Sequence, residues 1–325
     1  MSPKEQARVC FIVVNWNRSE ALKACLTSIQ TLVTGTSRAI IVVDNASTDG
    51  SAEMVEKNFP GARLLKDEEN IGFARANNKA LQYLKAAGLT PDYVVFINND
   101  ALLVDSSVEK IFEFMDRQED VAAAIPAVFL KDASFQTGVG GFDLSLGSAF
   151  AYYFFLSGLF PRAFRGLFIR QDYFFKKKKR ARLEWLSGVC LVARRSVLDE
   201  TGGFPEEYFM YAEDLALCRK LRKKGALVYF PEARILHLKE NGDKGRWNVA
   251  WIDSLFRYFR LHQKKTFLEL KEFALKGILF SGFALRAAGY AFLRLLGGRK
   301  YALKTDELAS YARHVLGHLW ASQKA

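Results

Sequence analysis

The first hundred residues of this 325-residue chain alternate between two kinds of segment, and that alternation limits the fold more than any other feature. "VCFIVVNWN" (9–17), "RAIIVVDNAS" (38–47), the short "ARLLKDEEN" (62–70) and "YVVFINND" (93–100) each hold a run of consecutive apolar residues. Such runs suit strands covered on both faces. Between them lie "SEALKACLTSIQTL", "GSAEMVEKNF" and "GFARANNKALQYLKAAG", whose apolar residues recur at helical spacing. The last of these stops at Gly88, a usual residue just past a helix end. Doubly buried strands spaced by helices imply an α/β fold, a mostly parallel sheet with helices on both faces.

In such sheets ligands bind beyond the carboxyl ends of the strands. Asn17, Asp44 and Asp100 each stand at such an end, so they should share one crevice. No G-x-G-x-x-G follows the first strand, which argues against a nicotinamide dinucleotide, and no G-x-x-x-x-G-K-[ST] occurs. The crevice instead offers acid. Asp44 can accept from an N–H donor such as a pyrimidine ring. Asp100 can hold a hard divalent cation, which would in turn hold a diphosphate. Taken singly, Asp44-Asn45 and Asn99-Asp100 are ordinary turn formers after strands. Their convergence with Asn17 on one edge favours a site.

The length allows one large domain and an appendage. Half the residues are hydrophobic, which excludes a disordered chain. The net charge of +12 suits nucleic acid, an anionic membrane or a phosphorylated ligand without choosing among them. Cys10, Cys25, Cys190 and Cys218 stand singly in apolar company, as core thiols of a reducing compartment do. The N-terminus lacks the small-residue cleavage site of a signal peptide and reads as a first strand.

The motifs "VVNWN", "VVDNASTDGS", "NIGFARANN", "FINND", "WLSGVCLVARRSVLDETGGFPEEYFMYAEDLALC" and "ILH" occur in this order. Together they resemble the family 2 glycosyltransferases of the GT-A fold, in particular the rhamnosyltransferase-like branch, over roughly residues 8 to 260. The resemblance implies transfer of a sugar from a nucleotide diphosphate to an acceptor hydroxyl, with inversion. It implies that Asp44 pairs with the nucleotide base, with Asn15, Asn17, Asn45 and Asn99 around it. Asn70, Gly72, Phe73 and Asn77 would shape the nucleotide pocket, and Arg75 stands where many relatives have a small residue. Asp100 matches the last acid of the family's D-x-D metal motif, and Asn98 and Asn99 replace the leading acids. One carboxylate would then carry most of the Mn or Mg binding.

In "GGFPEEYFMYAEDLALCRKLRKKG", Gly202 and Gly203 make a loop and a helix begins after Tyr211, with Leu215, Leu217, Cys218 and Leu221 on its inner side. Glu213 and Asp214 open that helix, where the macrodipole alone favours acids by about 0.3–1 kcal/mol. Their apolar neighbours would also raise a carboxyl pKa toward that of a useful base. By resemblance Asp214 is the general base and Glu213 the runner-up; Ala216 replaces the later acid of the usual E-D-x-D-L. His237, at the end of an apolar strand, would join the metal shell, and imidazole suits manganese.

The acceptor side falls on two segments. Residues 150–182 interleave aromatics with arginine and lysine, and residues 144–161 form an uncharged run of interfacial, re-entrant or buried-lining character. At the C-terminus, "FLELKEFALKGILFSGFALRAAGYAFLRLLGGRK" is apolar but interrupted by Lys276, Arg286 and Arg294. Its uncharged runs fall short of the roughly 20 residues that span a bilayer, so it suits an interface-lying helix. Packing on its own domain or on a second subunit, as in a homodimer, is the competing reading. The expected organisation is a GT-A catalytic domain over 1–240, with an acceptor- or membrane-facing insertion at 140–182, and C-terminal amphipathic helices over 241–325. The expected partners are a nucleotide diphosphate sugar, a saccharide or lipid-linked acceptor and a membrane surface, with nucleic acid set aside. The expected location is cytoplasmic, peripheral on the inner face of the cell membrane, in cell-surface polysaccharide synthesis. Two other classes compete: a nucleotidyltransferase, which would want a glycine-rich loop after the first strand, and a non-enzymatic basic protein binding membrane or nucleic acid.

Overall fold

The computed structural model describes residues 7–161, 163–239, 247–295 and 302–321. The chain divides into two compact units, 1–140 with 170–242, and 141–169 with 243–325. The expected boundary at 240–241 lies outside the described residues. The aromatic-basic stretch 150–182 is split between the units at 169–170.

The first unit is built on a nine-stranded sheet, counted among the described residues. Its strands are β1 (Val9–Asn15), β2 (Arg38–Asp44), β3 (Arg63–Lys66), β4 (Tyr93–Asn98), β5 (Ala101–Leu103), β6 (Val121–Leu130), β7 (Ala181–Leu183), β8 (Cys190–Arg194) and β9 (Ala226–His237). The order is β3-β2-β1-β4-β8-β6-β9-β5, with β7 also paired to β9. β1 runs parallel to β2 and β4, and β2 parallel to β3. The register sets Asn15 opposite Asp44 and Val14 opposite Asn98, so these strands end together. β8 enters antiparallel to β4 and β6, while β6 and β9 are parallel. The sheet is therefore the expected mostly parallel one with antiparallel strands inserted. A short apolar run such as "CLVAR" carries no signal of strand direction. β9 shifts register between Phe230 and Arg234, where Pro231 can donate no ladder bond.

The helices of this unit are α1 (Ser19–Leu32), α2 (Ser51–Asn58), α3 (Phe73–Ala86), α4 (Glu109–Arg117), α7 (Gln171–Lys176), α8 (Arg195–Thr201) and α9 (Glu213–Leu221). α3 turns small residues, Ala74, Ala76 and Ala80, toward the core and lies against β1 and β2. Its buried face also carries Asn77 and Asn78. The four cysteines are buried thiols.

The second unit is helical, made of α5 (Leu146–Tyr153), α6 (Leu156–Leu159), α10 (Trp247–His262), α11 (Leu268–Leu295) and α12 (Ala302–Ala321). Ser145 and Ser148 close a capping box at the start of α5. α11 packs on α12 and on α5, and at Gly282 an added Cβ would come within 2.5 Å of the Tyr153 side chain. α11 is one continuous helix despite its charges, and two of the three interrupting charges, Lys276 and Arg286, have internal partners. Lys276 pairs with Glu272 at 3.0 Å, and both side chains are buried. Arg286 donates to the Tyr152 carbonyl at 2.7 Å and stacks over Tyr152, Tyr153 and Phe155. By length and composition this helix could cross a membrane; its most apolar 18-residue window has a mean hydropathy of 1.3, and 17% of that window is buried.

Candidate active site

The carboxyl ends of β1, β2 and β4 are joined by side-chain amides. Asn15, fully buried, donates to Asp44 Oδ1 and to Ser47 Oγ, each at 3.1 Å. Asn99 donates to Asn15 Oδ1 at 2.7 Å. Asp44 Oδ2 accepts from the Ser47 N–H at 2.9 Å, and the Asn45 N–H donates to the Asn15 carbonyl at 2.8 Å. Asn17, in the left-handed region at φ 51°, donates its N–H to Ser47 Oγ and accepts from the Thr48 N–H at 2.7 Å. The edge residues thus form one network. Asp44 is almost fully buried, and each of its oxygens keeps a lone pair beyond its internal bond. Asn45 Oδ1 is buried and takes no donor from the described residues.

A glycine turn sets the entry to α3. Asn70 Oδ1 accepts from the Gly72 N–H at 3.0 Å, and the Phe73 N–H donates to the Phe209 carbonyl at 3.0 Å. At Gly72 φ is +85°, and a Cβ would stand 2.6 Å from that carbonyl, so only glycine serves. Asn77 donates to the Phe73 carbonyl at 2.9 Å and leaves Oδ1 buried without a donor among the described residues. Arg75 lies apart from this network; it is exposed and faces Glu206 at 3.7 Å.

Asp100 sits in the turn between β4 and β5. Its Oδ1 is 2.8 Å from His237 Nε2, at the end of β9. The β5–β9 pairing, with His237 opposite Ala101, sets that approach. His237 Nδ1 is 2.5 Å from Gln136 Oε1. An amide oxygen can only accept, so Nδ1 carries a proton, and the Nε2 contact with Asp100 Oδ1 is filled by a second proton or by a cation. Two lone-pair-bearing atoms this close call for a proton or a cation between them. One oxygen and one imidazole nitrogen fit a divalent ion such as manganese.

Glu213 and Asp214 open α9 after two left-handed residues, Tyr211 at φ 66° and Ala212 at φ 63°. Asp214 Oδ2 accepts from the Gly188 N–H at 3.2 Å, and Oδ1 from the Leu215 N–H at 2.8 Å. Burial nonetheless raises its pKa to about 6. Glu213 lies deeper, Oε2 has no donor among the described residues, and burial followed by the neighbouring Asp214 charge holds its pKa well above the carboxylate range. The two halves of the site are bridged by 187–189. Gly188 holds Asp214, and the next carbonyl, of Val189, accepts from the Asn98 N–H at 3.1 Å. The acid pair is therefore only a few bonds from the Asn99-Asp100 turn.

Against known families, residues 10–200 match the model described as Glycosyl transferase family 2. The N-acetylglucosaminyl-diphospho-decaprenol L-rhamnosyltransferase of Mycobacterium tuberculosis is 30% identical over 80% of this chain and 83% of its own length. The chain is a family 2 glycosyltransferase. The rhamnosyltransferase WbbL of Escherichia coli is 24% identical over 60% of this chain and 69% of its own. Among solved structures, the mannosyltransferase PcManGT of Pyrobaculum calidifontis, in complex with GDP-Man and Mn2+, superposes with a TM-score of 0.59 at 18% identity, over 98% of this chain and 88% of its own. That likeness supports the GT-A fold. Neither the nucleotidyltransferase nor the non-enzymatic reading is favoured by these matches.

The structure also brings to the site residues of this glycosyltransferase that sequence patterns do not single out. Gln136 reaches His237 Nδ1 from a loop of ordinary polar composition. Asn78 exchanges two bonds with the backbone of Phe204, at 2.8 and 2.9 Å, and so pins the loop that carries Phe209 to the acid pair. Its signal was an asparagine on the core face of a helix, adjacent to Asn77. Gly203 approaches Asn78 so closely that a Cβ would lie 2.5 Å from Oδ1.

Proposed function

We propose that this glycosyltransferase moves rhamnose from its thymidine diphosphate ester, with inversion, to a lipid-linked saccharide at a membrane surface. The observation that carries this reading is the pairing, along one sheet edge, of a cation-ready Asp100–His237 couple with a carboxyl, Asp214, whose pKa burial has raised to about 6. The donor sugar and acceptor class follow the M. tuberculosis relative by its name. A divalent ion held by Asp100 and His237 would supply positive charge to the diphosphate leaving group. Asp44 would offer its remaining lone pairs to the pyrimidine N–H, and the unfilled acceptors Asn45 Oδ1 and Asn77 Oδ1 would take ligand donors.

In the transfer itself, an acceptor hydroxyl is a poor nucleophile at neutral pH. Asp214 takes its proton as the acceptor oxygen bonds to the anomeric carbon from the face opposite the diphosphate. The bond from that carbon to the diphosphate oxygen breaks, and the nucleoside diphosphate leaves with the electron pair. Glu213, enclosed beside Asp214, has its pKa held well above the ordinary carboxylate range by burial and by the Asp214 charge, so the two acids exchange protons as a pair. The exposed aromatic residues of the second unit, Phe150, Phe155, Phe160 and Phe164, are suited to the headgroup level where a lipid-linked acceptor presents its sugar. The test is hydrolysis of a panel of nucleotide sugars with manganese and no acceptor. Preferential release of thymidine diphosphate from its rhamnose ester is expected; release confined to purine nucleotide sugars would overturn the donor assignment.

A further inference from the structure

We propose that Asp253, His314 and His318 of the second unit form a transition-metal site of the zinc class that ties α10 to α12. The two histidines are four residues apart in "HVLGH", so they share one face of α12. Asp253 comes from α10. Its Oδ1 lies 2.7 Å from His314 Nε2 and 2.8 Å from His318 Nε2. Three ligand-capable atoms thus converge on one point, all within 4.8 Å of one another.

The donor set is two imidazole nitrogens and one carboxylate oxygen, a combination that selects zinc, copper or nickel over magnesium and calcium. Zinc bonds of 2.0–2.2 Å in a tetrahedral shell separate ligand atoms by roughly 3.3 Å, so an ion would enter on an opening of about half an ångström. Side-chain rotation alone supplies that. The ring planes are already set: His318 packs edge-on against Phe256 at 5.2 Å and against His314 at 5.0 Å. All three side chains reach solvent, at 48%, 26% and 37% exposure, which gives an ion an entry path and leaves a coordination position for water. The cluster joins α10 to α12 across segments some sixty residues apart in sequence. Nothing in it belongs to the transfer chemistry, which uses the first unit.

The test uses the full chain stripped of metal and titrated with Co2+ in excess Mg2+, which occupies oxygen-rich sites. Asp253→Asn keeps an acceptor for both histidines but is a poor zinc-class ligand. His314→Gln keeps a donor toward Asp253 and serves if the first variant loses its helical circular dichroism. The wild type should show the visible absorption of tetrahedral cobalt, and zinc should displace it and raise the melting temperature. Either variant should lose at least tenfold in zinc affinity, with one equivalent less cobalt bound. Cobalt spectra and zinc response identical in wild type and variant, or no cobalt absorption in the wild type, would overturn the proposal and leave a hydrogen-bonded triad.

Discussion

The two units spend their polar and apolar residues in opposite ways. The first buries polar groups, Asn15, Asp44, Asn45, Asn77 and Glu213, at one edge of a sheet. The second exposes apolar ones. Apart from Trp16, Val104, Phe209 and Tyr211, every large hydrophobic side chain that stands exposed among the described residues belongs to it. A buried unpartnered acceptor costs roughly 1–3 kcal/mol, and it persists where a ligand will supply the donor. An extended exposed apolar surface persists where something other than water will cover it. On the proposed function, one unit is prepared for a small polar ligand, and the other for a surface. Trp16, Phe209 and Tyr211 fit the contrast, since they flank the polar edge itself.

The sharpest way to break this comparison is to remove the acid assigned to proton transfer. Asp214→Asn should lower kcat by about 10²–10⁴, as loss of a general base does, while calorimetry shows donor binding retained. Near-normal turnover, with loss in Glu213→Gln instead, would move the role to the neighbour. The next effect is on the cation. Gln136→Ala frees the His237 tautomer and should weaken Mn2+ binding by about 10–100-fold, as loss of a partner behind a ligand does. Asp100→Ala should abolish the metal-dependent part of nucleoside diphosphate binding; unchanged affinity in manganese would remove Asp100 from the cation site.

Acidity gives a prediction in the pH profile. Asp214 must be ionised to act, and its pKa is raised to about 6, so the rate should climb with pH through about 6. A raised carboxyl pKa also means that stability is fully present below the unfolded value near 4 and lost as pH rises through about 6. Asp214→Asn should therefore be more stable than wild type at pH 8, by roughly 1–3 kcal/mol, and no more stable at pH 4. A melting-temperature gain that does not change with pH would contradict that origin. The smallest effect belongs to the second unit. Phe273→Glu with Phe292→Glu, both exposed on α11, should reduce cosedimentation with anionic vesicles severalfold and leave donor hydrolysis unchanged.

The parallel half of the sheet was legible because runs such as "CFIVV" and "YVVFI" have a single economical explanation. The crevice followed from a rule about strand ends, and β1, β2 and β4 do finish level. The antiparallel entry of β8 was not legible, because pairing direction is set by the connections around a strand and not by its residues. α11 shows a different gap. Lys276 and Arg286 read as interruptions of an apolar stretch, whereas Glu272 and the Tyr152 carbonyl absorb them. Those partners lie on a neighbouring turn and on a separate helix, where linear hydropathy does not look. Gln136 escaped for the same reason, since its meaning comes from the ring it faces.

Tyr211 and Ala212 hold consecutive left-handed conformations although neither is glycine. Each such residue costs about 1–2 kcal/mol, so the turn before the acid pair is held against its own preference by the packing around it. Its consequence is a trade-off set within one residue. Ala212→Gly relieves the local cost and is among the cheapest changes that could make this chain more robust. It would also give Glu213 and Asp214 freedom to drift from Gly188. If Asp214 acts as proposed, durability and turnover make opposite demands on that position.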